Sequence, residues 1–172
     1  LHPRVRRQRQ MCIRDSHTFF RSLKRCPVII NTSRGEVIET NALLNALEDG
    51  LISDAIIDVW ENEPDINLTL LNRVFLGTPH IAGYSADGKA NATRMSLDAL
   101  CRFFHIKADY RIAPPQPRNP IITAGSLAEA YLQMYDPRRD SEALKTHPEQ
   151  FEKLRGDYPL RREKEAYTYI PK

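Results

Sequence analysis

Between Val28 and Tyr84 one pattern occurs three times: an apolar run too short for a helix, then an abrupt break into polar residues, Gly or Pro. The islands read V-I-I-N-T-S-R-G (Val28 to Gly35), I-I-D-V-W-E-N-E-P (Ile56 to Pro64) and G-T-P-H-I-A-G-Y (Gly77 to Tyr84), the last preceded by Val74-Phe75-Leu76. Short, continuously apolar runs of this kind suit strands buried on both faces. Helical spacing lies between them. Thr40 is placed to cap a helix carrying Leu43, Leu44 and Leu47, Gly50 is placed to close it, and Leu68 to Asn72 reads as a shorter helix. Strands alternating with helices of this length predict an α/β fold with a parallel, doubly wound sheet, because parallel neighbours need a crossover. In such sheets ligands bind beyond the carboxyl ends of the strands. The three breaks set Arg34, Glu63 and His80 at three such ends.

Taken singly these side chains are ordinary: a solvated strand-end charge, a loop acid before Pro64, a loop histidine after Pro79. Taken together they make a working set. A guanidinium grips a carboxylate through two parallel hydrogen bonds. A histidine exchanges a proton near neutral pH, and a neighbouring carboxylate favours the imidazolium and fixes the tautomer. These are the parts needed to hold a 2-hydroxy acid and take its hydroxyl proton while a hydride leaves.

N-T-S-R-G, D-V-W-E-N-E-P and T-P-H-I-A-G-Y resemble the three C-terminal signatures of the D-2-hydroxyacid dehydrogenases, and the intervals of 29 and 17 residues from Arg34 to Glu63 to His80 fit that family. The resemblance covers about residues 17 to 170. It implies NAD as cofactor, no metal, and a Rossmann-type nucleotide-binding domain of which this chain holds the C-terminal half. It gives Arg34, Glu63 and His80 catalytic roles. It implies NAD contacts from Asp58, Gly83 and the backbone around Thr32 and Ser33, and substrate contacts from Arg34 and Tyr84. From the residues alone, Asp58 could instead reach the strand end to bind a backbone N–H, because an acid in an apolar strand is costly unless paired. Trp60 reads as a core residue. No G-x-G-x-x-G occurs in the sequence. The phosphate-binding half of the domain is therefore expected to be absent from this chain, and residues 17–172 alone are expected to be inactive.

The formal net charge of +3 is misleading. Residues 1–25 carry +7 and the remainder −4, so no nucleic-acid partner is expected. No apolar run approaches the roughly 20 residues of a membrane span. Cys12, Cys26 and Cys101 are odd in number and lack metal-ligand spacing, which suggests reduced thiols and a cytoplasmic location. Residues 1–16 show no amphipathic period and too few apolar side chains to pack. M-C-I-R-D-S (Met11 to Ser16) resembles the conceptual translation of a transposon-end adaptor, so residues 1–16 are expected to be foreign to the gene; a genuine basic tail is the alternative. His17 to Arg25 reads as the end of a helix with Phe19, Phe20 and Leu23 on one side.

Beyond the histidine, Ser85 can cap a long helix whose Ala90, Thr93, Leu97, Leu100 and Phe104 predict one buried face. The division expected is 17–108 for the partial NAD-binding domain, 109–120 for a linker with four prolines, and 121–172 for a small α+β domain. In that last part Ser126 with Glu129 forms a capping box before a helix that Pro137 ends, Thr146 with Glu149 repeats the device, and Ala166 to Ile170 reads as a strand. M-Y-D-P-R-R-D (Met134 to Asp140) and F-E-K-L-R-G-D-Y-P-L-R-R-E (Phe151 to Glu163) resemble the C-terminal dimerisation domain of one family member. That member acts on a phosphorylated 2-hydroxy acid, and a homodimer is expected. Two rivals stand: a glycerate or phosphoglycerate dehydrogenase of the same family, and a non-catalytic dimer or co-repressor with the family fold. The intact trio Arg34, Glu63 and His80 weighs against the second.

Overall fold

The computed structural model describes residues 17–172, and the expectation about residues 1–16 lies outside them. In chain order the regular elements are α1 His17–Ser22, β1 Val28–Asn31, α2 Thr40–Glu48, β2 Asp54–Ile57, α3 Leu68–Arg73, β3 Leu76–Gly77, α4 Ala86–Phe104, β4 Ile121–Ala124, α5 Leu127–Met134, α6 Pro137–Thr146, α7 Phe151–Gly156 and β5 Thr168–Pro171. They group into two compact units. Of the described residues, one holds 17–81 with Pro137–Asp157; the other holds Ala82–Asp136 with Tyr158–Lys172.

The first unit is built on a parallel sheet in the order β1-β2-β3, with Val28 opposite Asp54 and Ile57 opposite Gly77. The α/β parallel sheet read from the sequence is therefore present. Its core gathers Phe20 from α1, Leu43, Ala46 and Leu47 from α2, Ala55 and Ile57 from β2, and Leu70 and Leu71 from α3. Phe19 and Leu23 pack partly buried against the same cluster. β1 departs from the expectation of burial on both faces: Val28 and Ile30 are 50% and 63% exposed, while Ile29 packs on the core. A period of two puts alternate side chains on opposite faces, and an apolar run alone does not say whether both are covered.

Local corrections follow the same lesson. Thr40 is the first helical residue, not the cap. Glu39 holds the cap position without a side-chain bond, and the Thr40 N–H donates instead to Glu61 Oε2 at 2.8 Å. Gly50 closes the helix with φ +66°, a conformation that favours glycine. β2 ends at Ile57, so Asp58 stands just past the strand, and Val74 and Phe75 precede β3.

Helices α6 and α7, expected in the C-terminal domain, complete the first unit's core through Leu144 and Phe151, 0% and 1% exposed. The Gly77 N–H donates to Ser141 Oγ at 3.0 Å, and Lys145 Nζ to the Val74 carbonyl at 2.8 Å. The compact units thus cut across the division expected at residue 120. Thr146 caps nothing: it is the last residue of α6 and its hydroxyl donates to the Glu142 carbonyl at 2.8 Å.

In the second unit Ser85 Oγ accepts from the Gly88 N–H at 2.9 Å and caps α4 as expected. No residue of α4 is buried, however, and Leu100 and Phe104 are more than half exposed. Helical spacing shows which face is apolar, not what covers it. β4 and β5 pair in parallel, with Ile122, Ala124 and Ala130 as a small core. Ser126 Oγ accepts from the Glu129 N–H as the predicted cap, while Glu129 Oε2 accepts from the Gly125 N–H, one residue before the N-cap whose N–H a capping box would use. β5 starts at Thr168, because Lys164–Ala166 forms a 3-10 turn. Among the described residues no helix is long and apolar enough to cross a membrane.

Candidate active site

Polar tethers shape each strand end of the first unit. After β1, buried Asn31 accepts from the Ser33 N–H through Oδ1 at 3.2 Å and donates Nδ2 to the Arg34 carbonyl at 3.0 Å. That closes the turn locally and leaves Thr32, Ser33 and Arg34 exposed. The Arg34 guanidinium makes one hydrogen bond, from Nη1 to the Ser33 carbonyl at 2.7 Å. Gly35 is buried next to it. A Cβ there would lie 1.9 Å from the Trp60 carbonyl oxygen, so glycine alone lets the β1 loop press against the β2 loop.

After β2, Asp58 ties three strand ends together. It is 3% exposed, and Oδ1 accepts from the Thr78 hydroxyl at 2.7 Å and the Ile81 N–H at 2.8 Å. Its own N–H donates to the Asn31 carbonyl at 3.0 Å, and its carbonyl accepts from the His80 N–H at 2.7 Å. The backbone-binding role that the sequence left open for Asp58 is therefore realised.

Trp60 is the core residue expected, 4% exposed, with its indole N–H on the Thr78 carbonyl at 2.9 Å. Its backbone N–H donates to Glu63 Oε1 at 2.8 Å and so orients the carboxylate. The second oxygen, Oε2, lies 2.7 Å from His80 Nδ1. A carboxylate only accepts, so Nδ1 carries the hydrogen and Nε2 is left as the basic nitrogen. His80 has φ +54°, a left-handed conformation that costs a non-glycine residue roughly 1–3 kcal/mol and clusters at functional sites. Its N–H, shared between the Asp58 and Thr78 carbonyls, holds it there.

Arg34, Gly35, Trp60, Glu63 and His80 line one cleft of about 350 Å³. The His80 and Glu63 side chains are 26% and 18% exposed, open enough for a small molecule to reach. A larger groove of about 730 Å³ lies in the second unit, beside Pro115, Pro117 and Arg162, but no carboxylate or histidine lines it. The smaller cleft carries the chemistry. Thr32, Ser33 and Asp58 stand at the adjoining strand ends. Gly83 and Tyr84 belong to the second unit, where the Tyr84 ring meets Tyr158 edge-on at 6.1 Å and Lys89 Nζ lies 4.3 Å from its centroid.

A nicotinamide carboxamide needs acceptors and donors side by side. The exposed Thr32–Ser33 loop offers backbone groups of this kind and fits that end of NAD, while Asp58 at the adjoining strand end is 3% exposed and bonded to the Thr78 hydroxyl and the Ile81 N–H. Sequence reasoning missed Thr78, Asn31 and Glu61 as supports. Thr78 had a signal, its place two residues before the histidine in G-T-P-H; the partners of Asn31 and Glu61 are set by tertiary approach and had none.

Comparison with known proteins agrees with this geometry. Residues 8–82 match the family model of the D-isomer specific 2-hydroxyacid dehydrogenase NAD binding domain, and residues 118–171 match one described as a Domain of unknown function (DUF3410). The chain is 69% identical over 156 residues to an erythronate-4-phosphate dehydrogenase of Bacteroides fragilis, covering 91% of this chain and 44% of the relative. It is 69% identical over 152 residues to the protein of that name from Bacteroides thetaiotaomicron, covering 88% of this chain and 44% of the relative. It is 41% identical over 151 residues to the one from Porphyromonas gingivalis, covering 84% and 41%. The chain thus spans less than half the length of these relatives. Residues 8–82, in which three parallel strand ends set Arg34, Glu63 and His80 on one cleft, thus belong with the NAD binding domain of the D-isomer specific 2-hydroxyacid dehydrogenases.

Proposed function

We propose that this chain supplies the catalytic strand ends of a cytoplasmic, NAD-dependent dehydrogenase that oxidises the 2-hydroxyl of 4-phospho-D-erythronate to the 2-oxo acid, a step of vitamin B6 biosynthesis. The observation that carries the reading is the 2.7 Å contact between Glu63 and His80 Nδ1 in the cleft that Arg34 also lines. The relatives' names supply the substrate. Arg34 grips the substrate carboxylate with its fork and polarises the carbonyl that forms. His80 takes the hydroxyl proton on Nε2 in oxidation and returns it in reduction. Glu63 holds the Nδ1–H and keeps Nε2 basic. By the family resemblance Asp58, Gly83 and the Thr32–Ser33 backbone are the NAD contacts, the cofactor when bound supplying the hydride acceptor, and Tyr84 is a substrate contact. A second copy is the expected partner, joined through the C-terminal part, where Leu127, Tyr131 and Leu132 are exposed.

The test is a chimera in which this chain replaces the matched 156-residue segment of the Bacteroides fragilis relative. It should reduce NAD with 4-phosphoerythronate in preference to glycerate and phosphoglycerate. Faster turnover of either rival acid would overturn the substrate, and a folded chimera without turnover on any acid would overturn the enzyme. Glu63→Gln can keep its bond from the Trp60 N–H only by presenting an amide N–H to His80, which reverses the tautomer. It should lose about 10²–10⁴-fold in turnover. Pairing is tested by Leu127→Asp with Tyr131→Asp, which should give monomers by light scattering. Deletion from residue 114 would instead strip Leu144 and Phe151 from the first unit's core.

A further inference from the structure

The segment Tyr158–Glu163 grips the start of α4 and the turn before it, within the second unit. The Ala86 N–H donates to the Arg161 carbonyl at 2.8 Å, and Arg161 Nη2 donates to the Ala82 carbonyl at 3.0 Å. The Ser85 hydroxyl donates to Glu163 Oε1 at 2.6 Å. Arg162 closes a two-pronged bond on Asp87, from Nε at 2.8 Å and Nη2 at 3.0 Å, and the Glu163 N–H adds a third donor to Asp87 at 2.9 Å. Arg162 Nη1 also reaches the Pro115 carbonyl. The side chains of this pair are 8% and 18% exposed. The Arg162 guanidinium holds the Asp87 carboxyl below the usual carboxylate range, and Asp87 raises Arg162 in turn. Above these bonds the Arg161 guanidinium lies 4.3 Å from the Tyr135 ring and 5.6 Å from Tyr158, whose ring meets Tyr84.

Capping α4 does not require this. Ser85 already serves the Gly88 N–H. What the extra bonds fix is the turn Ala82–Ser85, which has Gly83 at its centre with nothing within 4 Å of where a Cβ would lie. A glycine turn with open space around it is intrinsically loose, and a brace from elsewhere in the chain removes that freedom.

We infer that Tyr158–Glu163 is a brace that sets the Ala82–Ser85 turn, making Arg161 and Arg162 positioning residues for the ligand contacts of Gly83 and Tyr84 in the same subunit. The inference rests on the proposed function for those two contacts. It gives the C-terminal segment a task within its own chain, separate from joining two copies.

In the full-length chimera, Arg162→Met should raise KM for the hydroxy acid about tenfold while kcat changes less than about twofold, because His80, Glu63 and Arg34 are untouched. Arg162→Lys keeps the charge without the fork and should fall between. Hydrogen exchange at residues 82–88 should quicken in Arg162→Met, and light scattering should still report the parent's oligomeric state. A fallen melting temperature with unchanged KM would overturn the inference, as would unchanged exchange at 82–88 or dissociation of the variant. An unsubstituted chimera without turnover would sink the proposed function instead, and the exchange measurement would still decide whether the brace sets the turn.

Discussion

Arg34 and Arg162 carry the same guanidinium to opposite ends. Arg34, in the first unit, is exposed and among the described residues bonds only the carbonyl of its own neighbour. Arg162, in the second, is 9% exposed and has its fork on Asp87. The backbone beneath each differs as well. The loop of Arg34 is placed by contact between Gly35 and the Trp60 carbonyl, with no charge involved. The segment of Arg162 is placed by an ion pair to Asp87 together with backbone bonds. A fork already filled by a partner within the chain stabilises; a fork held ready on a rigid strand end can bind. The first should show in melting curves as well as in KM, the second in kinetics alone.

The largest effect should come from the contact that places Arg34. Gly35→Ala puts a methyl into the Trp60 carbonyl, and backbone on both sides leaves little room to yield. The expected cost is about 4 kcal/mol or more, enough to unfold a marginal domain. A Gly35→Ala chimera melting within a few degrees of the parent would show that the Asn31 tethers, not close approach, position the Arg34 loop.

Next comes Arg34 itself. Lysine cannot copy two parallel bonds to a carboxylate, so Arg34→Lys should lower kcat/KM by about 10²–10³-fold, roughly 3–4 kcal/mol. Because the side chain is exposed, the melting temperature should move by no more than about 1 °C. Near-parental efficiency would make Arg34 a surface charge and end the contrast with Arg162.

Much of the first unit was legible because each strand end breaks its apolar run at the residue that matters. Arg34, Glu63 and His80 could be placed on one cleft from the islands and the parallel topology. Less visible was whatever depends on elements far apart in sequence. Leu144 and Phe151 belong to a core begun more than 90 residues earlier, and no local period announces that (Phe20 is its other end). The cap expected from Thr40 is made by Glu61, and the face read as buried on α4 is exposed. Local pattern fixes an element and its apolar side; its covering partner is a tertiary fact.

The third effect concerns Arg162. Arg162→Met leaves Asp87 partly buried without its fork and should cost about 2–3 kcal/mol. The sign of the pH dependence follows from Asp87. Its folded value is lowered, so its contribution is present above the unfolded value of about 3.9 and is lost as pH falls through the folded one. The gap in melting temperature between parent and variant should therefore be full at pH 6 to 8. It should close once the pH is well below about 4. A gap that persists in acid would mean that packing of the Arg162 stem, not its charge, does the stabilising.

The smallest effect sharpens the comparison by taking the guanidinium away. The Tyr110 hydroxyl, beyond the end of α4, donates to Asp98 on that helix, an acid held by a neutral donor in the same unit as Asp87. The hydrogen bond to Asp98, with lesser help from burial, pushes the Tyr110 phenol up to about 12. A raised phenol contributes stability below the unfolded value near 10, and that contribution is lost as pH rises from about 10 to about 12. Tyr110→Phe should then melt within about 2 °C of the parent at neutral pH, and the difference should vanish above pH 11 or so. Phenolate absorbance during an alkaline titration of the 172-residue chain, which has seven tyrosines, gives the direct check. Tyr110 should ionise late, and that late step should be missing from Tyr110→Phe. If the late end of the titration is the same in Tyr110→Phe, Asp98 does not hold Tyr110, and a charged partner is then what an acid on this helix needs to be held in place.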